Sequence, residues 1–235
     1  MRWFCVSPAM SSPPRSLDLT VFSPDRDDSL TDISMNILII YAHPNPSSFN
    51  HAILETLDAA LREHGHVTRV HDLYQMRFRA VLDSEDLLRN WRGDLPDEIL
   101  REHEAVLWAQ GLVFIYPIWW FGPPAILKGW IDRVFVRKFA FDFTAAGMEG
   151  LLAHDHALVI NTLGGDETLY QRERWHELLV RPMVEGVLNA CGVRDVVYRA
   201  FYSVVTVSHA ERQAMLEEVR ALATTTFRPI PAKPA

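Results

Sequence analysis

Three stretches of this chain are unbroken apolar runs of strand length: Ile37-Leu38-Ile39-Ile40-Tyr41, Leu112-Val113-Phe114-Ile115-Tyr116, and the centre of 156–162, Ala157-Leu158-Val159-Ile160. A strand with one wet face alternates apolar and polar side chains. A run that is apolar throughout has to be buried on both faces, as in a parallel sheet covered by helices. Helical patterns separate the runs. One over 49–63 sets Ile53, Leu54, Leu57 and Leu61 on one face, and others cover 97–108 and 124–135. A long one covers 172–191, where Pro182 is expected to kink or split the helix and Gly192 to stop it. A second strand is expected near 66–72, then an irregular stretch containing Gly93 and Pro96. A fifth strand lies within 195–205, and Ser208 caps a final helix. The expected fold is α/β, a doubly wound five-stranded parallel sheet with helices on both faces.

Length and composition limit what this sheet belongs to. The 235 residues are 49% hydrophobic and 23% charged, an ordinary globular balance. The formal charge of -7 argues against a protein built to bind nucleic acid. No apolar run reaches the ~18 residues of a membrane-spanning helix. Cysteine occurs only at Cys5 and Cys191, so no disulfide framework is readable, and a cytoplasmic location is expected. No metal-ligand spacing appears. Residues 1–34 carry four prolines and seven serines with no helical or strand period. They read as a disordered extension, with Met35 as the natural start of the protein. The folded domain is expected over 35–226, and 227–235 as a tail.

In a doubly wound sheet the ligand sits beyond the carboxyl ends of the strands, so three loops matter most. The first, Ala42 to Asn50, has neither a dinucleotide-type glycine pattern nor a Walker lysine. It places Ser47 and Ser48 at a helix N-terminus with His43 nearby, which suits an anion and equally suits simple capping. The second, Tyr116 to Pro124, contains Trp119, Trp120 and Phe121, and four of the seven tryptophans fall between 108 and 130. Two adjacent tryptophans point in different directions and do not both face one core easily. An exposed pair calls for something flat, or another subunit, to cover it. The third, Asn161 to Asp166, contains Gly164-Gly165, which permits a close backbone approach and is also simply a turn.

The run Tyr116-Pro117-Ile118-Trp119-Trp120-Phe121-Gly122-Pro123-Pro124-Ala125-Ile126-Leu127-Lys128-Gly129-Trp130 closely resembles the signature of the NAD(P)H:quinone oxidoreductase family, the DT-diaphorase-like group with a flavodoxin-like fold. Ala42-His43 through Ser48-Phe49-Asn50 is similar to the family's flavin-phosphate loop. His71-Asp72-Leu73-Tyr74 and Thr162-Leu163-Gly164-Gly165 with Tyr170 and His176 match as well.

The resemblance implies a flavin enzyme, with FAD first and FMN as a close alternative, that takes a hydride from NADH or NADPH and reduces quinones or similar flat acceptors by a ping-pong scheme. It implies that His43, Ser47, Ser48, Phe49 and Asn50 hold the flavin phosphate. Pro117, Ile118, Trp119, Trp120 and Phe121 would back its ring, and Thr162, Leu163, Gly164 and Gly165 would meet its polar edge. Tyr170 and His176 would stabilise the reduced ring, where a phenol and a near-neutral imidazole suit charge arriving with the hydride. It further implies a homodimer whose partner closes the substrate pocket. Family tyrosines there correspond to Phe141 and Phe143, which with Trp120 would line an aromatic pocket lacking those hydroxyls. A second reading is a regulatory flavin-binding subunit of a potassium efflux system. Asp132 and Arg133 on the preceding helix read equally as a structural ion pair or cap and as functional groups.

Overall fold

A computed structural model describes residues 34–227. The expected extension lies outside the described residues except for Ser34, as does the tail beyond Phe227. Five parallel strands form the sheet: β1 (Asn36–Tyr41), β2 (Val67–Asp72), β3 (Gly111–Pro117), β6 (His156–Thr162) and β7 (Asp195–Phe201), in the order β2-β1-β3-β6-β7. That order reverses between β1 and β3, the switch point at which ligands bind in such sheets. Every residue of β3 and β6 is buried, as their unbroken apolar runs require.

Two apolar layers cover the faces. On one, α1 (Phe49–Glu63) and α7 (His209–Thr226) pack through Ile53, Leu57, Leu61, Val219 and Ala223. Phe227 is also buried there, its ring against the Gly111 backbone. On the other face, α3 (Asp97–Trp108) and α4 (Ala125–Val134) bury Ile99, Val106, Leu127 and Trp130. Gly129 lets the Ala80 backbone lie directly on α4, since a Cβ there would collide with the Ala80 carbonyl.

Two elements were not expected from the sequence. The stretch read as irregular contains α2 (Ser84–Arg92), opened by a capping box between Asp83 and Asp86 and closed by Gly93 at φ 75°. An antiparallel hairpin, β4 (Phe141–Thr144) and β5 (Gly147–Gly150), follows α4. The long helix over 172–191 needs correction. It is α5 (Glu167–Arg172), α6 (Trp175–Met183) and a π-helical segment, Val184–Asn189. The break falls at Arg174, which adopts φ 58°, and not at Pro182. Pro182 lies in the last turn of α6, and the wider π turn begins two residues later.

Several polar groups inside the fold are paired with one another. Trp130 donates its indole N–H to Glu102 Oε2 at 2.8 Å, and the same oxygen lies 2.7 Å from His71 Nδ1. Arg133 is buried and bonds Asp86, Glu98 and the Arg79 carbonyl, whereas its neighbour Asp132 pairs with Lys128 on the surface. Two histidines are buried in the neutral form. His103 donates to the Val134 carbonyl at 2.8 Å with its ring stacked on Phe139, and His154 donates to the Val106 carbonyl at 3.0 Å. Burial lowers the pKa of both.

Above about pH 6.5 neither folded nor unfolded chain protonates these rings, and their contribution is intact. As pH falls through that value, the unfolded chain takes up protons that the folded chain resists, so stability declines. Urea unfolding at pH 7.5, 6.5 and 5.5 is expected to show a falling midpoint. A His103→Phe/His154→Phe variant is expected to show a shallower fall. Equal slopes for the two proteins would contradict this assignment.

Among the described residues, no helix is long and apolar enough to cross a membrane, and no group of three or more His, Cys, Asp or Glu residues is arranged to hold a metal ion. Cys191 is buried, and burial pushes its thiol up to about 11, which leaves it unreactive.

Candidate active site

The three loops named from the sequence meet at the carboxyl ends of β1, β3 and β6. Main-chain bonds join them: Ala42 N–H donates to the Ile115 carbonyl, and Ile118 N–H donates to the Thr162 carbonyl at 2.9 Å. Asn50, buried at the start of α1, donates Nδ2–H to Thr162 Oγ1 at 2.6 Å, tying the first loop to the third.

In the first loop, the capping reading is realised at Ser48, whose Oγ accepts from His51 N–H at 3.2 Å. Ser47 is exposed, its N–H donated to Asn45 Oδ1. His43 Nδ1 accepts from Asn45 N–H at 3.0 Å, and its ring centroid lies 6.1 Å from that of Trp119. Burial lowers the His43 pKa, with its backbone contact opposing. Ser47, Ser48 and Phe49 also border a groove of about 370 Å³ that is completed by Val204, His209 and Arg212.

The second loop makes a tight turn. Trp119 and Gly122 exchange main-chain hydrogen bonds of 3.0 and 3.1 Å, and the central residues Trp120 and Phe121 have φ of 50° and 61°. Two left-handed central residues usually mean Asn-Gly, and bulky aromatics here carry a cost of about 1–3 kcal/mol each. Trp120 is 98% exposed, and Trp119 and Phe121 are exposed too. The two adjacent tryptophans therefore do not both face a core. Phe121 packs edge-on against Trp175 and beside Tyr170.

The third loop is laced to the end of β7. Leu163 N–H donates to the Phe201 carbonyl, Ser203 N–H to Gly165, and Val204 N–H to Leu163. A Cβ on Gly165 would stand 2.6 Å from the Tyr170 ring, so only glycine lets that ring lie on the loop. Among the described residues, the N–H groups of Trp120, Phe121, Gly164 and Gly165 have no main-chain or side-chain acceptor, and the buried Asn50 Oδ1 has no donor. A planar aromatic flanked by free donors and an orphaned acceptor fits a heteroaromatic ring with a polar edge, and a flavin meets that description.

Tyr170 and His176 come together through a third residue. His176 Nδ1 lies 2.7 Å from Tyr202 Oη, and the Tyr170 and Tyr202 rings are 5.6 Å apart. Tyr202 and Trp175 were not singled out from the sequence. The signal for Tyr202 was its place just past the fifth strand, whose carboxyl end adjoins the third loop. Phe141 and Phe143 lie apart from these loops. They are 5.7 Å from one another on β4, and Phe141 lines a separate cavity with Leu87, Trp91 and Phe135.

Comparison with known proteins gives the family. Residues 35–223 match a family model described as flavodoxin-like fold. The chain is 34% identical to an uncharacterized NAD(P)H oxidoreductase of Haemophilus influenzae, over 78% of this chain and 91% of that protein. It is 33% identical to NAD(P)H dehydrogenase [quinone] 1 of Cavia porcellus, over 66% of this chain and 64% of that protein. Among solved structures, NAD(P)H:quinone oxidoreductase from Methanothermobacter marburgensis superposes with a TM-score of 0.76 at 31% identity, over 82% of this chain and 99% of that one. With the sheet order, the three joined loops and these relatives in agreement, the chain belongs to the flavodoxin-like NAD(P)H:quinone oxidoreductase family.

Proposed function

We propose that this enzyme binds FAD at the carboxyl ends of β1, β3 and β6 and passes reducing equivalents from NADH or NADPH to a quinone or similar flat acceptor, the two substrates using one cavity in turn. The observation that carries this reading is the exposed aromatic turn at Trp119, Trp120 and Phe121, set beside the free N–H groups of Trp120, Phe121, Gly164 and Gly165. A bound flavin supplies the ring that accepts and returns a hydride. The chain's residues bind, orient and stabilise. His43, Ser47, Ser48, Phe49 and Asn50 hold the phosphate end at the N-terminus of α1. Pro117, Ile118 and the aromatic turn back the ring, and Thr162, Leu163, Gly164 and Gly165 face its polar edge. Tyr170 and His176 offer a phenol and an imidazole to negative charge developing there, which a preformed site stabilises without reorganisation.

The groove bordered by Ser47 and Phe49 supports FAD over FMN, because it extends from the N-terminus of α1 to Val204, His209 and Arg212. Phe143, 62% exposed on β4, supports a homodimer in which each hairpin adds Phe141 and Phe143 to the partner's substrate pocket beside Trp120. Cytoplasm, as a reducing compartment, suits the free thiol of Cys191. The test is direct: purify the protein, record its visible spectrum, and identify the released flavin by chromatography. One FAD per chain is expected. FMN alone would reject the role of the groove. A colourless protein that takes up neither flavin would overturn the proposal.

A further inference from the structure

We propose that Tyr202 is a positioning residue that fixes the ring and tautomer of His176, donating its Oη–H to Nδ1 so that the proton of the neutral imidazole resides on Nε2. The inference rests on the flavin reading for its catalytic consequence and on geometry for its structure. The Nδ1–Oη distance is 2.7 Å. Tyr202 is 7% exposed, and it is held at both ends: the carbonyl before it, Phe201, accepts from Leu163, and the N–H after it, Ser203, donates to Gly165. The phenol is thus set by the same loop that faces the polar edge of the ligand.

The direction of the bond follows from accounting for protons. A phenol has one proton to place, and among the described residues His176 Nδ1 is the hydrogen-bond partner of Tyr202 Oη. If Nδ1–H were the donor, the phenolic proton would be left without an acceptor in a buried site, which is costly. Burial, with Glu167 and Tyr170 adding, pushes the Tyr202 pKa up to about 12, so the phenol keeps its proton at neutral pH. The two imidazole nitrogens diverge, so Nε2–H points away from Tyr202. His176 then presents a donor, which is what an anionic oxygen on a ligand requires.

Other polar groups around the ring do not compete for Nδ1. Tyr198 on β7 lies beside the His176 ring at 5.9 Å, but its buried hydroxyl has no hydrogen-bond partner. Arg199 on β7 pairs with Glu218, and on α6 Glu177 pairs with Arg174 at its N-cap. Tyr170 and Glu167 on α5 act on Tyr202.

The experiment compares wild type, Tyr202→Phe and Tyr198→Phe. Histidine ring nitrogens are read by NMR in flavin-free protein, with His176→Gln identifying the resonance. Wild type and Tyr198→Phe are expected to show the Nε2–H tautomer, and Tyr202→Phe a mixture. In the flavin-loaded proteins Tyr202→Phe is expected to slow flavin reduction by NADH about tenfold, the worth of one hydrogen bond, with flavin affinity unchanged. An Nδ1–H tautomer in wild type, or Nε2–H persisting in Tyr202→Phe, overturns the proposal. So does a changed tautomer with an unchanged rate of reduction. Failure of the flavin reading shows separately, as a protein that takes up no flavin, because the tautomer is measured without it.

Discussion

His176→Ala is expected to slow reduction of the bound flavin by NADH or NADPH about 100-fold, while the flavin stays bound. The imidazole is fixed by Tyr202 at the end of β7 and sits in the same cluster as Tyr170. A placed donor that meets charge only as it develops is worth about 10²–10³ in rate. Removing one such group leaves the N–H groups of Trp120, Phe121, Gly164 and Gly165 in place, and under the proposed function these do the binding. Stopped-flow measurement of flavin bleaching separates reduction from reoxidation by the acceptor. The loss should appear in the first, with flavin affinity within a factor of a few of wild type. His176→Gln divides the remaining question. A glutamine amide retains a donor but takes no part in proton exchange, so recovery of rate assigns the ring to hydrogen bonding alone. Bleaching at the wild-type rate in His176→Ala would remove His176 from the site.

Arg133→Met is expected to destabilise the fold by about 3–5 kcal/mol, the range for removing one partner of a buried ion pair. Arg133 is 1% exposed. Its Nε and Nη2 bond Asp86 at 3.1 and 3.2 Å, its Nη1 bonds the Arg79 carbonyl at 2.7 Å, and it also reaches Glu98. Burial alone would raise the Asp86 carboxyl. The hydrogen bonds from Arg133 and Arg79 outweigh it and hold the group at about 2. Asp86 is also the third residue of α2 and returns a bond to the Asp83 N–H. Losing Arg133 therefore leaves a buried charge underpaired and loosens the cap of α2 together. A methionine of similar length fills the space but not the field. Asp86→Leu added to Arg133→Met should recover part of the loss, because replacing both partners removes the stranded charge. Urea unfolding measures both variants, and a single-variant loss below about 1 kcal/mol would show that this network is a surface-type ion pair.

The buried strands and their covering by helices on both faces were largely legible in the sequence because they rest on burial. Runs such as 112–116 have no polar face to offer water, so their place in the middle of a sheet follows from composition alone. The helices over 49–63 and 97–108 show their apolar faces at helical spacing, and the structure places α1 and α3 there. The errors fall where polar residues decide. α2 has an exposed run containing Leu87, Leu88 and Trp91 and buries only Asp86, so its apolar pattern gives no sign of a core-facing helix. The ionic partner that holds it, Arg133, lies 47 positions from Asp86. The break at Arg174 depends on one left-handed residue that is not glycine, which no local preference announces.

For the site, the sequence by itself determined which loops and which residue types converge. Strand-end placement in a doubly wound sheet singles out His43 to Asn50, Pro117 to Phe121 and Thr162 to Gly165, and the family resemblance assigns them to a flavin. Only the tertiary structure decided how the side chains are engaged. It put Ser48 to work as a helix cap, exposed Trp120 on a strained turn, and brought Tyr202 to His176 across 26 positions of chain. The physical reason is range. Apolar burial and helix periodicity are written into neighbouring residues, whereas a hydrogen bond between groups far apart in sequence exists only once the sheet has fixed where β7 ends relative to α6.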